Sequence, residues 1–330
     1  MIFVDNQNIT DPHLNLAIEE YLLRHLDTPE DILLFYINEP SIIIGRNQNT
    51  LEEINKTYVD QNGVHVVRRL SGGGAVYHDL GNLNFSFITP FINGDFRNFA
   101  KFTQPVITTL QSMGVPAELS GRNDILVEQR KISGNAQYHA GHRMVTHGTL
   151  LFDTNIEHLA EALNVKQTKI TSKGIKSVRS RVANIRELLA ESIDIFEFRQ
   201  RILAGIFNQN GEIPQYVLQE ADWQTIREIA ADRYFTWEWN YGRSPDFNVQ
   251  KVHRFDFGEI DARLNIRRGL VDSIRFFGDF QATDEVNELE ELLKGVRYDP
   301  QSLATALLDV DLSRFFAGLT SQDFTKFLFD

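Results

Sequence analysis

The chain has 330 residues, 42% of them hydrophobic and 24% charged, which suits a soluble globular protein with one large and one small domain. Its formal net charge of −12 argues against a general nucleic-acid binder, and its lack of cysteine excludes disulfides, thiolate metal sites and a cysteine acyl-enzyme. No apolar run approaches membrane length, and Met1-Ile2-Phe3-Val4-Asp5 lacks the basic and apolar regions of a signal peptide, so a cytoplasmic location with no membrane partner is expected.

Thr10-Asp11-Pro12 signals a helix start, and Leu14, Ala17, Ile18, Tyr21 and Leu22 then recur at helical spacing. Strands are expected at 32–36 and 41–45, followed by a short polar helix near 51–61. Next comes the stretch with the strongest chemical signal. Between a β-type run at 64–67 and another at 75–77 stands Arg68-Arg69-Leu70-Ser71-Gly72-Gly73-Gly74. Three consecutive glycines bare their backbone N–H groups, and two arginines add positive charge, so an anion is expected here, phosphate above all. A dinucleotide fingerprint fits poorly, because Gly72-x-Gly74-x-x ends on Tyr77 and leads into a strand. A P-loop is excluded, since none of the 21 glycines precedes a lysine. A glycine-rich hairpin without a ligand is the plainer alternative.

From 82 to 88 the alternation is strict, with Leu83, Phe85 and Phe87 on one face and Asn82, Asn84 and Ser86 on the other. This is the pattern of a half-buried strand whose polar face lines a site. Phe99, Phe102, Val106, Ile107 and Leu110 predict a helix over 97–113, stopped at Gly114-Val115-Pro116. Strands follow at 124–128 and 131–137, joined by a turn at Gln129-Arg130, and a further one at 144–152. His147 and Thr149 share a face of the last, as do Lys131, Ser133 and Asn135 of the one before, so a polar cleft is expected.

After a helix at 156–163, residues 164–186 carry seven basic residues and no acidic one. Two readings stand: a solvated basic face, or a mobile loop that closes over an anion. Helices at 196–207 and 221–231 complete the first domain. The turn-rich segment Asn240–Asp246 marks a boundary, giving domains at 1–243 and 247–330. Beyond it the pattern changes to strands at 249–257, 260–267 and 270–277, with Arg268-Gly269 as a hairpin turn, and helices at 283–293, 300–308 and 321–328.

These stretches together resemble lipoate–protein ligases of the lipoate/octanoate/biotin ligase superfamily. The matching motifs are Arg68-Arg69-x-Ser71-Gly72-Gly73-Gly74-Ala75-Val76-Tyr77-His78-Asp79-x-Gly81-Asn82, Asn123-Asp124, Arg130-Lys131-Ile132-Ser133-Gly134-Asn135-Ala136, His147-Gly148-Thr149-Leu150-Leu151 and Lys173-Gly174-x-x-Ser177-Val178-Arg179-Ser180-Arg181-Val182. The resemblance covers the first domain in order, and the second domain resembles the accessory domain of the long-form ligases. It implies an α+β fold: a large domain with mixed and antiparallel sheets flanked by helices, plus a small C-terminal α+β domain.

The resemblance also implies a reaction. Lipoate and ATP would give lipoyl-AMP, and a lysine of a lipoyl-acceptor domain protein would then take the lipoyl group. Lys131 would be the catalytic cation, between carboxyl oxygen and α-phosphate, and would touch both substrates. Arg69, Gly74, Ala75, Val76, Tyr77, Asn82, Asp124, Gly148 and Thr149 would form the nucleotide site. Leu70, Ser71, Gly73 and His147 would join Lys131 at lipoate, with Val76 and Leu70 lining the apolar tunnel. Lys173, Gly174 and Lys176 would belong to a lid. Magnesium held through the ATP phosphates is expected. His139, His142 and His147 have a conceivable metal spacing but no accompanying carboxylate or cysteine, so no protein metal site is assigned. The chain is expected to act as a monomer. An ATP-independent lipoyl or octanoyl transferase of the same fold, and a non-catalytic protein that binds lipoyl-adenylate or an acceptor, are the alternatives.

Overall fold

A computed structural model describes residues 1–92, 94–121, 123–163, 181–207, 212–242 and 248–329. The large unit contains β1 (Ile2–Asp5), β2 (Ile32–Ile37), β3 (Ser41–Ile44), β4 (His65–Arg68), β5 (Val76–His78), β6 (Asn82–Pro90), β7 (Glu118–Ser120), β8 (Asp124–Val127), β9 (Arg130–Ala140), β10 (Arg143–Leu151) and β11 (Gln215–Tyr216). Eight of them form one mixed sheet in the order β11-β1-β2-β6-β10-β9-β8-β7, and the other three form a small sheet, β4-β3-β5.

The main sheet is covered on both faces. One face carries Leu33, Phe35, Leu83, Phe85 and Phe87, packed against Phe102 and Val106 of the helix Phe99–Ser112 and Phe198 and Ile202 of the helix Ile195–Phe207. Fully burying such a side chain contributes roughly 1.5–3 kcal/mol. The other face carries Val4, Leu34, Ile88 and Val145, which meet α1 (Pro12–Arg24). Asp11 caps α1 by accepting from the amides of His13 and Leu14, and Pro12 fills the first turn, where its missing N–H costs nothing. Leu16, Ile18 and Leu22 of α1 share a cluster with Ile43, Val67 and Leu70, so the helix is wedged between the two sheets.

Several boundaries differ from the sequence expectation, each for a local reason. The helix expected over 51–61 is two pieces, Thr50–Glu53 and Lys56–Asn62, because Ile54 turns extended and bridges Leu163. The next helix begins at Phe99 rather than 97: Asn98 caps it, and Arg97 sits at φ 70. The β8–β9 turn falls at Glu128-Gln129, both left-handed (φ 49 and 67) as such tight hairpins require, so Arg130 joins the strand. Strands β1, β7 and β11 were not signalled by alternation.

The C-terminal unit is a meander of β12 (Val249–Phe255), β13 (Gly258–Arg267) and β14 (Leu270–Gly278) with helices Val286–Leu293, Pro300–Ala306 and Ser321–Phe329 around a phenylalanine-rich core. Its first helix starts three residues later than expected, because the amides of Thr283 and Asp284 are taken by the Arg314 carbonyl. The unit touches the large one through Gly278 N–H donating to the Asn47 carbonyl at 2.9 Å and through an Arg46–Glu285 ion pair. Residues 243–247, within the expected boundary, lie outside the described residues.

Candidate active site

A cavity of about 150 Å³ opens between the polar face of the main sheet and the loop joining β4 to β5. Glycine is required on that loop for two distinct reasons. Gly73 has φ 93, which a side chain would strain. Gly72 is pressed on the backbone of the C-terminal unit: a Cβ there would run into the Phe280 carbonyl and come within 3.2 Å of the Gln281 Cα. Gly73, Gly74, Ala75 and Val76 all line the cavity.

The two arginines beside the loop have other work than the sequence suggested. Arg68 is buried and donates to the carbonyls of Gly45, Arg46 and Gln48, holding the β3 exit. Arg69 lines the cavity, yet its guanidinium donates to Ser71 Oγ at 3.0 Å and to the carbonyls of Ile43, Gly72 and Gly74 at 3.0, 2.7 and 2.8 Å. It ties down the carbonyls of Gly72 and Gly74 on the loop. Burial pulls Arg69 down to about 10, opposed by Tyr36 and Glu19.

A chain of polar contacts runs on from Arg69 into the sheet. Ser71 Oγ and His147 Nε2 are 2.6 Å apart, and His147 Nδ1 lies 2.9 Å from Glu19 on α1. Ser86 donates to the same carboxylate. Burial opposes the charge of Glu19, but His147, Ser86 and Arg69 together hold its pKa below the ordinary carboxylate value. Glu19 accepts the Nδ1–H of His147, and Nε2 of the same ring meets the Ser71 hydroxyl.

Lys131 approaches from the other side. Its Nζ is 2.9 Å from Asp124, and the side chain is 38% exposed, the accessibility a reacting ligand needs. It lies over Gly134, where a Cβ would be only 2.8 Å from Nζ. The expected sharing of a face by Lys131, Ser133 and Asn135 does not hold. A register shift opposite Ile125/Leu126 leaves Ile132 unpaired and brings Lys131 onto the Gly134 side. The main chain of Lys131 is fixed by the C-terminal part of the basic segment: its N–H donates to the Arg181 carbonyl at 2.7 Å, and Ala183 N–H donates to its carbonyl at 3.0 Å.

The structure therefore brings Arg69, Gly73, Gly74, Ala75, Val76, Lys131, His147, Gly148 and Thr149 to one cavity. The other expected residues are placed elsewhere. Leu70 packs in the α1 cluster behind the loop, so it is not a cavity wall, and Tyr77 turns its ring into the cluster of Ile42, Ile44 and Val66. Ser71 is buried on His147; Asn82 donates to Asn84 Oδ1 beneath the lining; Asp124 is set on Lys131. Lys173, Gly174 and Lys176 lie outside the described residues. His139 packs on the Phe91 ring at 4.1 Å, and among the described residues no group of three or more His, Cys, Asp or Glu could hold a metal ion. Leu16, Tyr36 and Ile43, which supply apolar wall, and Glu19 were missed. The available signal was an acidic residue on the apolar face of α1.

Comparison with known proteins identifies the family. The sequence profile of the Lipoyl protein ligase A/B catalytic domain matches residues 11–207, and that of the Bacterial lipoate protein ligase C-terminus matches residues 244–328, which defines the class as a two-part ligase. The chain belongs to the lipoate–protein ligase family. It is similar to lipoate-protein ligase LplJ of Bacillus subtilis, 55% identical over 331 residues and the full length of both chains. Among solved structures it is similar to P. falciparum LipL1 in complex with lipoate (TM-score 0.79, 26% identity, 94% of each chain). A bi-partite lipoate protein ligase of Thermoplasma acidophilum, described with its E2 lipoyl domain, gives a TM-score of 0.66 at 29% identity over 75% of this chain and 98% of that one. A lipoate-protein ligase A bound with ATP gives 0.61 at 28% identity over 73% and 97%.

Proposed function

We propose that the protein activates lipoate with ATP and transfers the lipoyl group to a lysine of a lipoyl-acceptor domain. In the first step a carboxylate oxygen of lipoate attacks the α-phosphorus; the bond from that phosphorus to the bridging oxygen breaks and pyrophosphate leaves. In the second the acceptor's ε-amine attacks the carbonyl carbon, a C–N bond forms, the bond to the AMP oxygen breaks and the amine gives up its proton. Both steps concentrate negative charge on oxygen, which a fixed cation stabilises.

The observation that carries this reading is Lys131 Nζ held over Gly134, in the same cavity as the glycine-rich backbone of 73–76 and an apolar wall from Leu16, Ile43 and Val76. Asp124 pairs with that ammonium at 2.9 Å and holds it in place. Magnesium would arrive on the ATP phosphates, a setting in which the ion needs few protein ligands. We place the activity in the cytoplasm, where ATP is supplied, and in a single chain.

The test is lipoate-dependent exchange of labelled pyrophosphate into ATP by the intact protein and by Lys131→Ala. Exchange that requires lipoate and disappears in a folded variant supports adenylation through Lys131. A folded wild-type protein without exchange refutes the reading and favours ATP-independent transfer.

A further inference from the structure

A second cavity, of about 170 Å³, shares only Tyr36 with the active-site cavity. Its polar groups come from the loop after β1 and from the helix Ile195–Phe207. Asn6 lines it and is 2% exposed. Asn6 Nδ2 donates to the Ile9 carbonyl and to Asn15 Oδ1, both at 2.8 Å, so its two amide hydrogens are spent and the other terminal atom is the oxygen. That Oδ1 accepts from no group among the described residues. Unlike the sealed, unpartnered atoms Ser41 Oγ and His78 Nε2, it keeps accessible surface.

Arg199, 7% exposed, lines the same cavity from the first turns of the helix. Its guanidinium donates to Asp5 Oδ1 at 3.0 Å and to Asn8 Oδ1 at 3.3 Å, which leaves N–H groups of the fork without a partner among the described residues. The Asp5 carboxylate balances its charge. The walls are Ile9, Ile37 and Ile195, and Leu80 and Phe196, 56% and 55% exposed, carry apolar lining out to the surface. These groups select among ligands. A carboxylate would set a second anion beside Asp5 and turn an acceptor toward Asn6 Oδ1, and a hydrocarbon would leave both polar groups unmet. A neutral amide carries the N–H that Asn6 lacks and the carbonyl that Arg199 lacks. The volume is close to that of a cavity of about 150 Å³ known to hold benzene, so it suits an amide with a chain of about five carbons.

We propose that this cavity is a binding site for a neutral amide with an apolar chain, whose N–H donates to Asn6 Oδ1, whose carbonyl accepts from Arg199, and whose chain lies against Ile9, Ile37 and Ile195. The inference stands apart from the ligase reading, although the acyl-lysine that the reading produces belongs to this chemical class.

Methyl NMR of the isoleucine-labelled full chain, titrated with hexanamide, reads the site directly. The δ1 signals of Ile9, Ile37 and Ile195 should move together at about millimolar ligand, while that of Ile43, in the active-site cavity, stays still. N-Methylhexanamide stands for the acyl-lysine amide and hexanamide for a free primary amide, so the tighter of the two names the source. Methyl hexanoate keeps the carbonyl and the shape of N-methylhexanamide but has no N–H for Asn6, and hexanoate is an anion without one. Each should bind about tenfold more weakly than the better amide. Arg199→Met removes the donors and should weaken that amide by about tenfold as well. Should the variant fail to fold, the ligand series on the wild type still decides. Unmoved signals for Ile9, Ile37 and Ile195, movement of Ile43 alone, an ester or acid that binds as tightly as the amides, or an Arg199→Met chain that binds like the wild type would each overturn the proposal. A wild-type protein without pyrophosphate exchange overturns the ligase reading instead and leaves this titration intact.

Discussion

Replacing Gly134 with alanine separates the position of Lys131 from its presence. The ideal Cβ at 134 would lie 2.8 Å from Lys131 Nζ and 3.0 Å from its Cε. Ordinary carbon contacts fall near 3.5–4.0 Å, so the lysine tip must move by roughly 1 Å. It is the free end of a flexible side chain and can do so cheaply, at the expense of its 2.9 Å contact with Asp124. Gly134 does not have positive φ, and an alanine lowers the entropy of the unfolded chain, so stability should change by less than about 1 kcal/mol. The reaction is far less forgiving. A misplacement of about 1 Å costs on the order of 100-fold in rate. The expected outcome is a thermal transition within a few degrees of wild type and pyrophosphate exchange reduced by about two orders of magnitude. Wild-type exchange in Gly134→Ala would refute the assignment of Lys131 as the positioned cation.

Two further outcomes follow from the buried polar groups. Arg69→Lys keeps a cation but cannot hold three carbonyls and a hydroxyl from a planar fork, so it should destabilise the chain by about 2–4 kcal/mol and abolish nucleotide binding. Retained ATP affinity in calorimetry would show that charge alone matters at this position. His78 has a pKa of about 3 against an ordinary 6.5, so between those values the unfolded chain binds a proton that the folded chain does not. Stability must then fall as pH drops below about 6.5, at up to about 1.4 kcal/mol per pH unit. Denaturant titrations at pH 6.5 and 5 should show wild type losing about 1.5–2 kcal/mol more than His78→Gln, and equal losses would contradict a neutral buried ring.

Much of the architecture could be read from periodicity, and its shortfalls have identifiable causes. The alternation of Leu83, Phe85 and Phe87 against Asn82, Asn84 and Ser86 is visible because β6 is hydrophobic on one face and faces polar partners on the other. The face of Lys131 was misread because alternation assumes an unbroken register, and one unpaired residue, Ile132, reverses it. Sequence gives the proximity of Arg69 to the glycines but not the direction of its guanidinium, which also donates to three nearby carbonyls. Leu16 reaches the cavity, and Glu19 reaches His147, because α1 is wedged between two sheets, a tertiary fact that no local window contains. Strands β7 and β11 are three and two residues long, too short for a period of two to register.

The contact at Gly72 makes mutational tolerance a gauge of assembly. With the C-terminal unit seated, the space above that α-carbon is filled by the Phe280 carbonyl, and no side chain at all can be admitted. Its φ is not positive, so the nearest obstruction belongs to the neighbouring unit and goes when that unit is absent or lifts away. A library of substitutions at this one position, scored in the full chain and in a chain ending before β12, would thus distinguish intolerance imposed by a neighbour from intolerance imposed by the ligand, using nothing more than which amino acids survive.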